Sequence, residues 1–280
     1  MIIDDKHEIA FVHIPKCAGT TVREYLKEYD RSQGFFSDRV DMHEKLGMLD
    51  FVHIPLYILK EHFPTELELI HRYWSFAVMR DPYKRFASSV TQRLRMYGEK
   101  PIEALSEREI RSEVENCIAL LEKYEDPQVL LPHDYIHFQR QIDYIYLGDE
   151  LLIDNIYSSE MVGDLVDILK ERLGCSLDAV GESTESETRL NSTVVYRSDV
   201  VRFFMGFSKP MFRIFFSWLP QGAREAVKRG VYVDRDQKVG GVFASKNVVD
   251  FIGRYYREDI LLYERVKCGC QDARQLGSAV

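Results

Sequence analysis

Two short segments of this chain carry residues whose types and spacing suit the binding of a phosphate or sulfate group. The first, Phe11 to Val22, reads FVHIPKCAGTTV and joins an apolar run to a helical pattern. A strand that enters a helix through a glycine-containing loop directs free backbone N–H groups and the positive end of the helix dipole at one point. Lys16 adds a mobile positive charge, and Gly19 allows close approach of the backbone to a ligand. The segment therefore predicts an anion site.

The order of residues in this segment differs from that of a nucleoside triphosphate P-loop. In that motif, GxxxxGK[ST], the lysine follows the last glycine and stands beside a magnesium-binding hydroxyl. Here Lys16 precedes Gly19, and the hydroxyls of Thr20 and Thr21 follow the glycine. An ordinary strand-to-helix turn with a surface lysine would show similar residues, so this segment alone leaves both interpretations open.

The second segment, Arg80 to Ser89, reads RDPYKRFASS and again joins an apolar strand to a helix start. Arg80 can bind a phosphate through two parallel hydrogen bonds, and Ser88 can turn its hydroxyl toward the same anion. Pro82 suits the first helical turn. The alternative interpretation is a helix start at which Arg80 pairs locally with Asp81.

Together, HIPKCAGTT and RDPYKRFAS resemble loops of the sulfotransferase superfamily, particularly its carbohydrate sulfotransferase branch, whose loops read HIPKTGGTT and RDPxxRxxS. The resemblance implies a P-loop-like fold in which the first loop holds the 5′-phosphosulfate of the donor PAPS (3′-phosphoadenosine 5′-phosphosulfate). The second loop would hold the 3′-phosphate. The implied donor-binding residues are Lys16, Cys17, Ala18, Gly19, Thr20 and Thr21, followed by Arg80 and Ser88. Cys17 and Ala18 stand where Thr-Gly is usual, and Cys17 is interpreted as a packing residue.

The resemblance implies a sulfotransferase that moves the sulfuryl group of PAPS in line to an acceptor hydroxyl. A carbohydrate or glycolipid is the expected acceptor, PAP the nucleotide product, and no metal is expected to be needed. The reaction requires a cation near the leaving oxygen and a base for the acceptor hydroxyl. Lys16 suits the first task. A further donor-binding loop is expected around Asn191 and Arg197.

His53 is the candidate general base. It lies at the end of a candidate strand, Leu49 to Ile54, and ligands of open parallel sheets bind at that edge. It also precedes Arg80 by 27 positions, close to the spacing in related bacterial members. A partly buried strand histidine is the structural alternative. His43 and Glu44 are the reserve candidates for the base.

Two other functions stay open from the sequence. The first is an ATP-dependent, magnesium-requiring phosphotransferase of P-loop type, favoured by Asp154, which ends an apolar run as a Walker B aspartate does. The second is a nucleotide-binding or interaction module without catalysis. Activity with PAPS that survives EDTA would separate a sulfotransferase from both.

Composition excludes several classes of protein. A formal net charge of −8 argues against broad nucleic-acid binding, which needs a surplus of Lys and Arg. Five cysteines without a CxxC pair predict neither a disulfide framework nor a zinc site. The first residues, MIIDDKHEIA, lack the basic and apolar regions of a secretory signal, so a cytoplasmic location is expected.

The elements that must position these residues follow a regular pattern. Strands alternate with helices, which predicts a three-layer α/β/α fold with a central, mostly parallel sheet in a single domain, 1–280. The predicted strands are Ile9 to Ile14, Leu49 to Ile54, Tyr73 to Met79 and Leu151 to Ile156. One long closing helix is expected over Val249 to Val266.

An insertion is expected to interrupt this pattern at about residues 198–245, where aromatics, prolines and glycines lack clean periodicity. We interpret it as an inserted helical cap. Its segment Phe203 to Gly230 holds clustered Phe, Met and Trp followed by basic residues, which suits either a buried cap or a lid that touches a lipid-linked acceptor or an anionic membrane surface. Lys209, Pro210 and Arg213 interrupt it, so a transmembrane span is not expected.

Overall fold

The fold consists of strands that alternate with helices, and the computed structural model describes residues 1–126, 128–174, 194–196, 232–234 and 240–268. The strands are, in chain order, β1 (Ile2–Asp4), β2 (Ile9–Val12), β3 (Val40–His43), β4 (Gly47–Asp50), β5 (Trp74–Met79), β6 (Tyr146–Leu147), β7 (Glu150–Leu151), β8 (Asn155–Ser158), β9 (Val194–Tyr196) and β10 (Tyr232–Asp234). The helices are α1 (Gly19–Leu26), α2 (Leu56–His62), α3 (Pro64–Arg72), α4 (Pro82–Tyr97), α5 (Glu107–Leu121), α6 (Val162–Arg172), α7 (Lys246–Tyr255) and α8 (Arg257–Lys267).

The central sheet has four strands in the order β1-β2-β5-β8. β2, β5 and β8 run parallel, and β1 pairs antiparallel with β2 at one edge. The residues of β2 and the last five of β5 are buried, as expected for parallel strands covered on both faces. Because β2 and β5 are neighbours in parallel register, the loops that leave Val12 and Met79 emerge at the same edge of the sheet.

Helices cover this sheet and produce the three-layer α/β/α arrangement that the sequence predicts. α3 packs against β1, β2 and β5, while α1 packs against α6. α8 packs against β8 and reaches α4. Apolar residues of the sheet and of these helices form one continuous core.

A second core consists mainly of helices and lies beside the sheet. α4 contributes Phe86, Val90 and Leu94, α5 contributes Ile110 and its apolar neighbours, and α7 closes the cluster. α4 starts where β5 ends and therefore links the two cores. The 3-10 helix His133–Phe138 also packs against this second core.

Two of the predicted strands are wrong. One does not belong to the central sheet, and the other begins later than predicted. The run Leu49 to Ile54 does not join the central sheet, because β4 ends at Asp50 and pairs antiparallel with β3 in a separate hairpin. Residues 51–54 form a turn before Pro55, and Phe51 and Ile54 are buried from that turn. In the run Leu151 to Ile156, the first residue belongs to the small β6–β7 hairpin, and β8 begins only at Asn155.

The expected single closing helix is also wrong, since α7 and α8 are separate. Tyr256 lies between them with φ −105° and ψ 27°, outside helical values. Its hydroxyl donates to the carbonyl oxygen of Phe138 at 2.7 Å, which fixes the bend against the 3-10 helix. The apolar periodicity of Val249 to Val266 is the same on both sides of the bend, so the pattern alone could not locate it.

Most of the predicted cap at 198–245 lies outside the described residues, as do Asn191, Arg197 and the segment Phe203 to Gly230. Of the cap, β10 pairs antiparallel with β9, and Val242 is buried in the helical core. Among the described residues, no helix is both long and apolar enough to cross a bilayer.

Candidate active site

The first loop leaves β2 at Val12 and enters α1 at Gly19. Lys16 and Ala18 both have left-handed backbone, with φ of 66° and 61°, which costs about 1 kcal/mol or more for a residue other than glycine. Turns of this kind direct successive N–H groups into a concavity that binds anions. The N-cap residue Ala18 makes no side-chain hydrogen bond to the helix, so the helix start is suited to an external anion.

Gly19 is required by a close approach rather than by its backbone angles. A Cβ at this position would overlap the Cδ2 and Nε2 atoms of His13. The His13 ring is buried and stacks on Phe11, so it cannot move aside easily. The loop therefore wraps against this histidine, and any side chain at residue 19 would push the two apart.

Lys16 is the cation of the first loop, and its side chain is partly buried. Its Nζ donates to Oε1 of Gln92 on α4 at 3.3 Å. Burial, together with the positive charges of Arg95 and Arg80, lowers the pKa of Lys16 to about 8. An anion placed among these cations would relieve their repulsion.

Arg80 joins the second loop to the first. Its Nη1 donates to the carbonyl oxygen of Lys16 at 3.4 Å. Asp81 has another task, since its carboxylate caps α4 by accepting the N–H groups of Tyr83 and Lys84. The side chains of Arg80 and Asp81 therefore bond to different partners. The alternative interpretation, a helix start at which these two residues pair only with each other, does not agree with the structure.

Two other polar residues of the second segment, Arg85 and Ser89, bond to backbone carbonyl groups of neighbouring segments. Buried Arg85 donates from Nε to the carbonyl oxygen of Pro15 at 3.0 Å and from Nη2 to those of His137 and Gln139. The Ser89 hydroxyl donates to the His137 carbonyl oxygen at 2.7 Å. These contacts pin the first loop and the 3-10 helix to α4.

Ser88 lies on a different face of α4 from Ser89 and is half-buried. It precedes Gln92 by four residues, so the two lie on one helix face, and Gln92 contacts Lys16. Ser88 thus lies on the side of α4 that faces the first loop. In α1, Thr20 is exposed and Thr21 is half-buried.

Gln141 ties the two loops together, and sequence reasoning missed it. Its Oε1 accepts from the backbone N–H of Arg80 at 2.9 Å and from the Cys17 thiol at 3.2 Å. Its Nε2 donates to the Arg80 carbonyl oxygen at 2.9 Å. Asp259 of α8 accepts the Gln141 backbone N–H at 2.9 Å. Burial raises the pKa of Cys17 to about 11, so this residue is a neutral packing thiol.

His53 lies in the turn after β4 and not at the end of a sheet strand, yet the turn brings it to the first loop. Its ring centroid is 4.6 Å from that of His13. Its Nδ1 lies 2.8 Å from Oδ2 of Asp50. Because an ionised carboxylate can only accept, this pairing favours a proton on Nδ1 and leaves the lone pair on Nε2. Burial lowers the pKa of His53, against the opposing effect of Asp50.

His137 is a second histidine at this place that the sequence did not single out. Its ring centroid is 5.5 Å from that of His53. Burial, His53 and the charge of Lys16 lower the pKa of His137 to about 3, so its ring is neutral. Asp50, His53 and His137 each place one ligand atom within 4.8 Å of the others, close enough that together they could hold a metal ion.

The reserve candidates for the general base, His43 and Glu44, lie in the hairpin of β3 and β4. His43 ends β3, and its Nδ1 accepts the backbone N–H groups of Lys45 and Leu46 at 3.3 Å. Its ring contacts His62, with centroids 4.9 Å apart. Glu44 is exposed in the hairpin turn.

Asp154 does not occupy the position of a Walker B aspartate. Its carboxylate accepts from the backbone N–H and the hydroxyl of Ser75, at the start of β5. It precedes β8 instead of following it, so it lies at the amino edge of the sheet, opposite the two loops. The best support for a magnesium-dependent phosphotransferase is thereby removed.

Comparison with known proteins identifies a family. The model of a sulfotransferase family matches residues 1–147, just over half of the 280-residue chain. The chain belongs to the sulfotransferase family. No curated protein and no solved structure gives a significant match.

The matched part of this sulfotransferase contains both loops and most groups that hold them. Gln141, His53 and His137 all lie inside residues 1–147. Asp259, which holds the backbone of Gln141, lies outside. Family membership supports sulfuryl transfer in general and a nucleotide donor by implication, while the acceptor and the base need a separate argument.

Proposed function

We propose that this protein transfers the sulfuryl group of PAPS to a hydroxyl group of a carbohydrate or glycolipid, with His53 as the general base. The observation that carries the proposal is the joining of the two loops. Lys16 and Arg80 converge on one place, and Gln141 bonds to both loops. A donor with two separate anionic groups, as in PAPS, matches two such loops better than a single phosphate does.

The donor-binding set follows the two loops. The first loop, from Lys16 to Thr21, takes the 5′-phosphosulfate, with backbone N–H groups, the lysine charge and the threonine hydroxyls as donors. Arg80 and Ser88 take the 3′-phosphate. Cys17 supports the donor-binding residues without contacting the donor, because its thiol donates a hydrogen bond to Gln141.

Transfer then requires one bond to form and one to break. The acceptor oxygen attacks sulfur while the bond from sulfur to the 5′-phosphate oxygen breaks. Nε2 of His53 takes the hydroxyl proton, and Asp50 stabilises the resulting imidazolium through Nδ1. Lys16 neutralises the charge that develops on the leaving oxygen. The products are PAP, the sulfate ester and a protonated His53.

The donor assignment is tested by thermal unfolding with nucleotides. PAP should raise the melting temperature of the wild-type protein, because a ligand of the folded state stabilises it by mass action. Arg80→Ala should lose most of this shift, since loss of a charge-assisted contact costs on the order of 2 kcal/mol of binding. Lys84→Ala is the matched control: Lys84 is an exposed cation of the same helix start, and its loss should leave the shift unchanged.

The nucleotide comparison decides between donors. PAP without metal should stabilise the protein more than ATP with magnesium, and EDTA should not weaken the effect of PAP. A melting-temperature shift with ATP and magnesium but none with PAP would overturn the proposal.

A further inference from the structure

Asp50, His53 and His137 form a cluster of metal-ligand side chains beside the first loop. One ligand atom of each lies within 4.8 Å of the other two. Two imidazoles and one carboxylate favour Zn²⁺ and related transition metals, whereas Mg²⁺ and Ca²⁺ favour oxygen ligands. We infer that this cluster binds one divalent transition-metal ion, such as Zn²⁺, and that the bound ion blocks sulfuryl transfer.

The three ligands come from two segments, the end of β4 with its following turn and the 3-10 helix His133–Phe138, whose backbones are already fixed. Asp50 ends β4, and its Oδ1 accepts the N–H of Val52 at 2.9 Å. The hydroxyl of buried Tyr144 donates to the carbonyl oxygen of His53 at 3.2 Å. The carbonyl oxygen of His137 accepts from α4, so its backbone is held without use of its ring. A site held in this way loses little conformational entropy when an ion binds.

The surroundings also suit a transition metal. The side chains of His53 and Asp50 are only 12% and 11% exposed, so few water molecules compete for the ion. The carboxylate of Asp50 supplies a negative charge. When the metal binds Nδ1 of His53, it displaces the hydrogen bond to Asp50; the proton of this nitrogen moves to Nε2, and the imidazole stays neutral.

The inferred inhibition follows because one of the metal ligands, His53, is also the proposed general base. A metal on Nδ1 of His53 leaves the ring proton on Nε2, and a metal on Nε2 occupies the lone pair of that nitrogen, so in either case His53 cannot take the proton of the acceptor hydroxyl. This consequence rests on the proposed role of His53 as the base. Metal binding itself does not depend on that role, so the two statements can fail separately.

The test uses tag-free full-length protein, stripped of metal, in which serine replaces Cys268 and Cys270 so that these thiols cannot bind the probe. Calorimetric titration with Zn²⁺ should give one ion per chain. His137→Ala and His137→Gln should each weaken binding at least tenfold, the usual loss for a missing ligand or its support. Melting temperatures establish that both variants are folded, and the glutamine variant retains a polar side chain of similar size.

His62→Ala provides the matched control, because His62 and His43 form another close pair of imidazoles away from the cluster. Its Zn²⁺ affinity should equal that of the parent protein. Equal affinities of the parent and both His137 variants, or no stoichiometric binding, would overturn the inference.

Activity measurements distinguish a failure of the inferred metal site from a failure of the proposed sulfotransferase function. Zn²⁺ should inhibit sulfuryl transfer from PAPS, and EDTA should restore it. Binding without inhibition would refute the inhibitory role and contradict His53 as the base, while leaving the metal site established. A protein that binds Zn²⁺ at this cluster but neither binds PAP nor transfers sulfate would instead refute the proposed function.

Discussion

The charge of one residue, Lys16, should control the affinity of the protein for the donor. In the ligand-free protein, burial and the neighbouring cations Arg95 and Arg80 lower its pKa to about 8. Above that pH the free protein carries a neutral lysine, which must take up a proton when the anionic donor binds. The affinity for PAP should therefore fall as the pH rises above about 8, by up to about tenfold per pH unit. Calorimetry from pH 7 to 10 measures this slope.

Lys16→Arg supplies the comparison. A guanidinium stays protonated throughout this range, so the variant should bind PAP with little dependence on pH, whatever its absolute affinity. An equal slope in both proteins would show that another group takes up the proton.

His53 should affect turnover and not donor binding. His53→Ala should lower kcat by about 10²-fold to 10⁴-fold, the usual contribution of a positioned base, and leave PAP affinity nearly unchanged. Asp50→Asn should also lower kcat, because an amide can donate to the imidazole and favour the wrong tautomer. Steady-state kinetics and PAP titration measure the two quantities.

His133→Ala is the control for these substitutions, because His133 is exposed at the start of the 3-10 helix that carries His137. It should retain wild-type kcat. Near-native turnover of folded His53→Ala would move the base to His43 or Glu44.

Among the elements, the first loop and the end of β2 depend on one close contact. Gly19→Ala should lower the free energy of unfolding by about 1–3 kcal/mol, because its Cβ overlaps the buried His13 ring. In a His13→Ala background the same substitution should cost less, so the two changes should not be additive. Urea unfolding of the four proteins in this cycle gives the coupling energy.

Gly163→Ala is the matched control within a helix. Gly163 lies in α6, and nothing lies within 4 Å of where its Cβ would be. Alanine there should stabilise the protein by about 0.5–1 kcal/mol. A Gly19→Ala variant as stable as wild type, or equally damaging with and without His13, would contradict the contact.

The sequence predicted those parts of the site that depend on neighbouring residues. β2, β5 and the helices after them follow from local periodicity, so the two loops were placed correctly. Gln141 could not be found, because it lies 61 residues from Arg80 and 124 from Cys17 and its neighbours show no motif. The sequence points to His53 through a predicted strand that does not belong to the central sheet, and only the tertiary fold brings the turn of His53 beside His13.

In the molecule as a whole, one buried carboxyl group should make stability depend on pH. Asp143 accepts from Nε2 of Gln139, and burial raises its pKa to about 7, with Asp259 adding to the rise and Arg140 and Arg85 opposing it. A folded-state pKa above the unfolded value of about 3.9 means that the folded protein binds the extra proton. The stability that this group contributes should therefore be fully present below about pH 4 and should be lost as the pH rises to about 7.

Asp143→Asn should remove this part of the pH dependence, since an amide cannot ionise but can still accept from Gln139. Relative to wild type, the variant should gain stability at pH 8 compared with pH 5, by an amount on the order of 2 kcal/mol. Urea unfolding at the two pH values measures it. The exposed Asp149→Asn should show no such difference, and a similar pH profile for Asp143→Asn and wild type would exclude Asp143 as its source.

The hydrogen bond from Gln141 to Asp259 spans 118 residues, and this has a consequence for synthesis of the chain on the ribosome. At about 5–20 residues per second, Asp259 follows Gln141 by roughly ten seconds. Throughout that interval the nascent chain has both loops but lacks the carboxylate that holds the backbone of the residue between them. The proposed donor site is therefore completed late in translation, after all strands of the central sheet have been synthesised.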